Sequence, residues 1–344
     1  MRVKKIGVLT GGGDCPGLNP AIRAVVWKAF REQISVTGIR NGWKGLIEND
    51  SVELDLNSVS GILPKGGTIL GTSRTNPYKK KGDIEKLKKN FATMKLDALI
   101  AIGGDDTLGV AAKLYREKLN VVGVPKTIDN DLSCTDFTFG FDTAVSIATE
   151  AIDRLHTTAE SHHRIMVVEI MGRHAGWIAT YAGIAGGADA ILIPEIPIDI
   201  KDVCDIIKKR AARGKQFSIV AVAEGAKLKN KNLVLKTVQK DSFGNVLLGG
   251  IGNIVAHELG KRTGFETRVT VLGHIQRGGT PTAFDRVLAT RFGVKSVELI
   301  LSGDFGKMVS LKSNKIVDVP IKDAVGELKT VDPKLYEIAG IFFG

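Results

Sequence analysis

Short apolar runs alternate along the chain with segments whose apolar positions recur at helical spacing, and glycine-rich polar turns punctuate both. Lys4 to Thr10 (KKIGVLT), Val36 to Arg40, Ala98 to Ile102 (ALIAI), Val121 to Val124 (VVGV), Arg164 to Ile170 (RIMVVEI), Ala190 to Ile193, Ser218 to Ala223 and Arg268 to Gly273 (RVTVLG) read as strands. ALIAI and VVGV have no polar face, which is the mark of parallel strands buried on both sides. Helical spacing covers Ala21 to Phe30, Asp83 to Met94, Thr107 to Lys118, Asp142 to Ser161 and Ile200 to Arg213. The alternation runs through twice, the second pass following the long segment from Asp142, and the two halves share no sequence repeat. Lys227 to Leu248 is polar and fits either a hairpin or a lid.

The densest chemistry lies between Asp97 and Asp131. Strand, turn, helix, strand and turn follow one another there, and in an open parallel sheet both turns fall at the carboxyl edge, where such sheets bind ligands. The first turn is Gly103, Gly104, Asp105, Asp106, Thr107; the second is Pro125, Lys126, Thr127, Ile128, Asp129, Asn130, Asp131. Four carboxylates, one ammonium and two hydroxyls could thus face one cleft, a composition suited to metal-assisted phosphoryl transfer. Taken alone, the first turn could equally be a helix start capped by Asp106 or Thr107. The second acidic turn favours function, because clustered carboxylates repel one another unless a cation or a proton intervenes.

Composition narrows the setting. The 344 residues are enough for two domains; 43% are hydrophobic and 25% charged, and 40 glycines against 10 prolines suit many strand-to-helix turns. The apolar run at the N-terminus, Ile6 to Leu9, is broken by glycines and reads as a strand rather than a signal peptide. No apolar stretch approaches the ~20 residues that span a bilayer. The three cysteines, Cys15, Cys134 and Cys204, lack Cys-x-x-Cys spacing and read as reduced thiols. The net charge of +11 is spread over separate lysine clusters without interleaved aromatics, which argues against nucleic acid and leaves some charge to steer anionic substrates. A cytoplasmic protein that binds neither nucleic acid nor membrane is expected.

Several other turns carry polar chemistry. Gly11, Gly12, Gly13, Asp14, Cys15, Pro16, Gly17 join a strand to a helix without the Lys-Ser/Thr of a Walker loop, so any phosphate there would rest on backbone N–H groups; a plain turn is the alternative. The glycine-rich loop from Gly66 ends in Arg74, either an anion contact or a surface arginine. Arg164, Arg173, Arg268, His274 and Arg277 all lie at strand ends or in the turns after them, and are expected to converge as a phosphate cradle. His162 and His163 have no ligand-like neighbours and read as polar surface.

The ordered motifs GGGDCPGLNPAIR, GGTILGTSR, GGDDT, PKTIDND, FGFDTA, MGRHAGW, AGGAD and LGHIQRGG, spread over essentially the whole chain, resemble the bacterial type of 6-phosphofructokinase. The resemblance implies two Rossmann-like α/β/α domains with mainly parallel sheets and an active site in the cleft between them. The donor domain would comprise 1–138 plus 276–326, and the fructose 6-phosphate domain 139–275 plus 327–344. It also implies roles. Asp129 would be the base for the 1-hydroxyl of fructose 6-phosphate, Thr127 would bond the phosphoryl group in flight, and Asp105 would hold Mg²⁺. Gly13 and Arg74 match donor contacts; Thr127, Ile128, Asp129, Met171, Gly172, Arg173 and Glu224 match sugar-phosphate contacts, with Arg173 also placed among the catalytic residues. His274, Ile275, Gln276 and Arg277 match the 6-phosphate grip, completed by Arg164 and Arg268 from a neighbouring subunit, which implies a homodimer or homotetramer.

Two departures bear on the donor. The ATP-dependent members have glycine at the positions of Asp106 and Lys126. A carboxylate at Asp106 puts charge and bulk where the α-phosphate of ATP would pass, while Lys126 adds a cation beside the leaving group. The pair resembles the pyrophosphate-dependent branch, implying reversible transfer from pyrophosphate in glycolysis and gluconeogenesis. An ATP-dependent enzyme is the nearest rival, and a catalytically silent metabolite-binding homologue a further one. Trp27, Asp50 and His156 replace arginines of the effector-regulated enzymes while Arg23 is kept, so no strong allosteric control is expected.

Overall fold

The computed structural model describes residues 3–229 and 249–344; most of the polar 227–248 stretch lies outside them. In chain order the elements begin with β1 (Lys5–Thr10), α1 (Leu18–Arg31), β2 (Ser35–Ile39), α2 (Trp43–Glu48), β3 (Ser51–Leu54), α3 (Asp83–Thr93), β4 (Ala98–Gly103), α4 (Asp105–Arg116) and β5 (Val121–Pro125). There follow α5 (Phe141–His162), β6 (Ile165–Ile170), α6 (Trp177–Ala185), β7 (Ala190–Leu192), α7 (Ile200–Ala212) and β8 (Ser218–Ala223). After the undescribed stretch come α8 (Ile251–Thr263), β9 (Thr267–Val271), a 3-10 turn (Gly273–Arg277), α9 (Ala283–Ser302), β10 (Lys307–Lys312), β11 (Lys315–Pro320), α10 (Ile321–Ala324) and α11 (Pro333–Gly340).

These elements group into two compact units. The first takes 1–128, 132–143 and 277–328; the second takes 129–131, 144–276 and 329–344, so the division falls within the PKTIDND stretch. In the first unit seven strands run in the order β11-β10-β5-β4-β1-β2-β3. The inner pairings are parallel, and β3 and β11 close the edges antiparallel. β4 and β5 are buried at every residue, as their unbroken apolar runs require. Leu9, Leu99, Leu108, Leu114 and Val121 pack in one cluster of this core, each fully buried aliphatic side chain contributing about 1.5–3 kcal/mol.

The second unit holds an all-parallel sheet, β7-β8-β6-β9. In both units the chain starts a central strand, builds to one side and then crosses to the other. The reversal falls between β1 and β4 in the first sheet and between β6 and β9 in the second, and at such a reversal the loops leaving the carboxyl ends diverge and open a crevice.

Local chemistry shifted several boundaries. α4 begins at Asp105, two residues before the expected Thr107, with Gly104 as N-cap and no side-chain capping bond, so capping by Asp106 or Thr107 is overturned. Asp105 and Asp106 instead occupy the first helical turn, where carboxylates favour the helix dipole. α8, α9, β3, β10 and β11 had no counterpart in the sequence reading. Gly250, the N-cap of α8, has no side chain, and the orphan N–H groups of Gly250 and Gly252 are satisfied by Glu169 of β6 at 2.8–3.0 Å.

Within the first unit the amino ends of α5 and α9 cap each other. Thr282 accepts from Asp285 N at 3.3 Å and donates to Asp142 Oδ2 at 2.6 Å, while Asp285 Oδ2 accepts from Thr143 N at 2.8 Å and Thr143 Oγ1 at 2.5 Å. Burial pushes the Asp285 carboxyl up to about 6, against the two Thr143 bonds that favour its ionised form. An acid whose folded pKa lies above its unfolded value binds extra protons when folded, so its contribution to stability is fully present below about pH 4 and is lost as pH rises through about 6. Unfolding free energies of the parent should therefore fall across this window relative to Asp285→Asn, which cannot titrate. Parallel pH profiles for the two proteins would contradict the assignment.

Candidate active site

At the reversal of the first sheet, three loops are tied together by backbone bonds. Gly11 N donates to Ile102 O at 2.9 Å, Lys126 N to Gly103 O at 3.0 Å, and Gly12 N to Ser73 O at 3.1 Å, and Thr72 Oγ1 returns a 2.6 Å bond to Gly12 O. Glycine is needed at two of these positions for space. A Cβ at Gly11 or Gly103 would come within 2.6 or 2.3 Å of the buried Thr107 side chain. The strand ends can close on α4 only because both positions are bare.

Lys126 is 3% exposed, and its Nζ donates to the carbonyl oxygen of Gly13. The ammonium of the second turn is thus anchored in the loop after β1. Thr127 and Ile128 are buried beside it in sequence, and Thr138 Oγ1 donates to Thr127 O at 2.7 Å. Asp105 and Asp106 are exposed on the first turn of α4, and Asp105 Oδ1 accepts from Gly326 N at 3.0 Å. Arg74 is exposed just beyond Ser73. Cys15 is buried with its thiol facing Phe139 O at 3.6 Å; burial pushes it well above the usual thiol range, opposed by the charges of Lys126 and Arg277.

In the second unit the turn after β6 is keyed to the one after β8. Arg173 N donates to Glu224 Oε1 at 3.1 Å and Glu224 N to Ile170 O at 2.7 Å; a Cβ on Gly225 would strike Arg173 O at 1.7 Å. Arg173 itself sits at φ 51°, the left-handed region where a non-glycine residue is uncommon, and Gly172 at φ 143°. Met171 is buried, whereas His274 and Ile275 are exposed on the 3-10 turn and Gln276 is buried with Nε2 on Gly273 O at 3.0 Å.

Asp129 is 4% exposed and bears electrostatically on His174, which the sequence reading passed over. Loss of solvent lowers the His174 imidazole below its ordinary value, Arg173 and Lys227 lower it further, and Asp129 opposes them. Asp129, Arg173 and His174 thus share one electrostatic neighbourhood.

The expected single cradle does not form within the second unit. Arg173 and Glu224 follow the carboxyl ends of β6 and β8, and His274 follows that of β9, but Arg164 precedes β6 and Arg268 is the second residue of β9, at the amino edge. There Arg164 Nε bonds Glu266 Oε2 at 2.8 Å and Arg268 pairs with Oε1 of the same carboxylate, holding the Glu266 carboxyl below its usual range. The strand pattern places all the arginines by strand ends without fixing which end, the resemblance alone assigns Arg164 and Arg268 to a neighbouring subunit, and neither points to Glu266. Among the described residues no cluster of three or more His, Cys, Asp or Glu side chains forms a metal site, and no helix is long and apolar enough to cross a membrane.

Residues 5–300 match the phosphofructokinase family, and the chain belongs to it. Among its relatives, pyrophosphate--fructose 6-phosphate 1-phosphotransferase of Streptomyces coelicolor is 60% identical over 99% of this chain and 100% of its own. ATP-dependent 6-phosphofructokinase of Mycobacterium tuberculosis is 52% identical over 99% of this chain and 100% of its own. A phosphofructokinase structure from Saccharomyces cerevisiae superposes with a TM-score of 0.82 at 34% identity, covering 98% of this chain; the chain spans only 46% of that longer one.

An NMR titration tests the second-unit neighbourhood. The His174 midpoint should lie below the ordinary histidine value of about 6.5, and Asp129→Asn should lower it further by removing the opposing charge. An unmoved midpoint would separate the two side chains.

Proposed function

We propose that this chain is a pyrophosphate-dependent phosphofructokinase, which transfers a phosphoryl group reversibly from pyrophosphate to the 1-hydroxyl of fructose 6-phosphate, giving fructose 1,6-bisphosphate and phosphate. The observation that carries this reading is the Asp106–Lys126 pair of positions: a carboxylate on the exposed first turn of α4, and an ammonium buried against the glycine loop. A side-chain carboxylate there disfavours a further phosphate, and a fixed cation supplies charge that a donor without adenosine cannot obtain elsewhere. The name of the 60% identical relative supports the same donor. The 52% identical ATP-dependent relative keeps ATP as a second reading, which an assay with each donor separates.

In this reading Asp129 accepts the proton of the 1-hydroxyl as it attacks, and Arg173 holds the sugar phosphate and offsets the charge of the buried carboxylate. Thr127 donates to the phosphoryl group in flight, Lys126 neutralises the departing phosphate, and Gly13 and Arg74 bind the donor. Met171, Gly172, Glu224, His274, Ile275 and Gln276 hold the sugar. Mg²⁺ fits Asp105, because this ion is commonly held by one or two carboxylates together with substrate phosphates, and one Asp105 oxygen is already oriented by Gly326 N. It would supply Lewis-acid charge neutralisation on the donor oxygens.

The opposite-edge position of Arg164 and Arg268 supports their service to a neighbouring copy. Six-residue β6 separates them from the turn of Arg173 by about 20 Å of strand. Weak effector control is supported by local satisfaction: His156 Nε2 bonds Gly186 O at 2.7 Å, and the Arg23 guanidinium lies over Trp27 at 5.6 Å.

Asp129→Ser should lower kcat by roughly 10²–10⁴ in both directions with sugar-phosphate affinity largely kept; activity within a few-fold of the parent removes Asp129 from the mechanism. Asp106→Gly with Lys126→Gly should cut pyrophosphate turnover by roughly 10²–10³ and open ATP turnover. A double variant that keeps its full pyrophosphate rate, or a parent that prefers ATP, overturns the donor assignment. Mixed oligomers of Arg268→Ala and Asp129→Ser subunits should recover activity that neither variant has alone, and no recovery in verified hetero-oligomers contradicts a shared site.

A further inference from the structure

Asp285, on the first turn of α9, is fully buried and takes no part in the proposed transfer. Its Oδ2 accepts from both Thr143 N and Thr143 Oγ1, the Gly140 amide also favours its charged form, and Thr143 Oγ1 accepts in turn from Thr282 N at 3.0 Å. A helix start is ordinarily capped by a side chain just before it in sequence. Here the start of α5 is held by a carboxylate 142 positions away, and burying that carboxylate completely costs far more than a solvated cap would. What the acid fixes is the junction between α9 and the segment that enters α5.

That segment is the one on which the second acidic turn rests. Phe139 forms a parallel bridge with Lys126, Thr138 Oγ1 donates to Thr127 O at 2.7 Å, and a Cβ on Gly140, at φ 98°, would stand 3.4 Å from Ile128 Cγ2. The segment also meets the glycine loop: Phe139 O accepts from Cys15 Sγ at 3.6 Å, and a Cβ on Gly17, the N-cap of α1, would strike the Phe139 ring at 2.6 Å. Thr138, Phe139 and Gly140 are all buried, and the Phe139 ring lies 6.4 Å from that of Phe292 on α9. Three consecutive residues therefore set the height of Lys126, Thr127 and Ile128 against the loop after β1, and three residues further on Asp285 ties the same segment to α9.

We propose that Asp285 is a positioning residue for phosphoryl transfer: by pinning residues 140–143 to α9 it keeps 138–140 in register with Lys126 and Thr127 and packed against the glycine loop. It acts through that segment and not on the reacting atoms. The proposal rests on the pyrophosphate reading for the roles of Lys126 and Thr127. Misplacing transferring groups by about 1 Å can cost on the order of 10²-fold in rate, which is the scale on which such a tie matters.

Steady-state kinetics and hydrogen exchange on the full chain test this together. Asp285→Ala should lower kcat by roughly 10–10²-fold while the KM for fructose 6-phosphate stays within about threefold, because the loss falls on transfer rather than on sugar binding. Amides of 11–17 and 138–143 should exchange faster than in the parent, while those of β8 in the second unit keep their parental rates. Asp285→Asn still offers an oxygen to Thr143 and should retain more activity than the alanine variant. Thr143→Val keeps the backbone bond to Asp285 and loses those of the hydroxyl; it should move kcat and exchange in the same direction by a smaller amount, and it decides the matter if Asp285→Ala does not fold. The proposal is overturned if a folded Asp285→Ala, or Thr143→Val in its place, keeps kcat within twofold of the parent. It is equally overturned if lost activity comes with faster exchange in β8 as well, since that marks general destabilisation. A parent that turns over ATP and not pyrophosphate overturns the donor reading alone, and the same comparison made with ATP then tests the tie.

Discussion

A buried ammonium has to be paired, and the placement of Lys126 sets much of what surrounds it. At 3% exposure its Nζ needs an acceptor, and it bonds the Gly13 carbonyl, across the ends of β4 and β1 from its own strand. That reach works only if the three strand ends are drawn close. The closeness in turn excludes side chains at Gly11 and Gly103, where Thr107 fills the space, and at Gly13, where Arg277 does. One charge-satisfaction requirement thus explains why glycines recur at three strand-end positions, better than turn propensity alone.

The second unit meets its own requirement differently. Two of its acids are spent on backbone, while the buried Asp189 and Glu258 pair with Arg210 and Arg262 at 2.9 Å: Glu169 satisfies the start of α8, and half-buried Glu195 bonds Gly176 N at 3.0 Å and Val331 N at 3.0 Å, joining the start of α6 to the C-terminal segment. Of the two, Glu195 acts at the turn of Arg173, tying Gly176 at its end to Val331 through one carboxylate. Arg173 can then be kept in a left-handed conformation, since the Glu224 bond and the bare Gly225 together fix its backbone.

The sequence made the fold class legible because parallel strands buried on both faces leave unbroken apolar runs, and β1, β4, β5, β6 and β8 all carry one. It was less informative where partners are remote. The start of α4 was misplaced because Gly104, with no side chain, serves as its cap. Glu169 looked like an ordinary strand residue because its partners lie 81 and 83 positions away. The arginines are found by type and by nearness to strands, and only the resemblance sets Arg164 and Arg268 apart from Arg173; the strand pattern cannot, because which edge of a sheet a residue occupies is a topological fact, seen in the register of β6 with β9. Arg277 was assigned by resemblance, and its proximity to Gly13, 264 positions earlier, lies beyond any local pattern.

Cys15 gives the glycine loop one more property. A thiol is attacked by oxidants and alkylating reagents as its thiolate, and burial keeps this one protonated far above the ordinary range in spite of two nearby cations. Its sulfur is directed at the Phe139 carbonyl and packed beneath Gly140, where even a Cβ would come within 2.6 Å. A cysteine set in a positively charged, glycine-lined loop would ordinarily be a redox liability. Here the same tight packing that holds the loop makes it chemically inert, so native-state thiol reagents should report on the partly accessible Cys134 and leave the loop untouched.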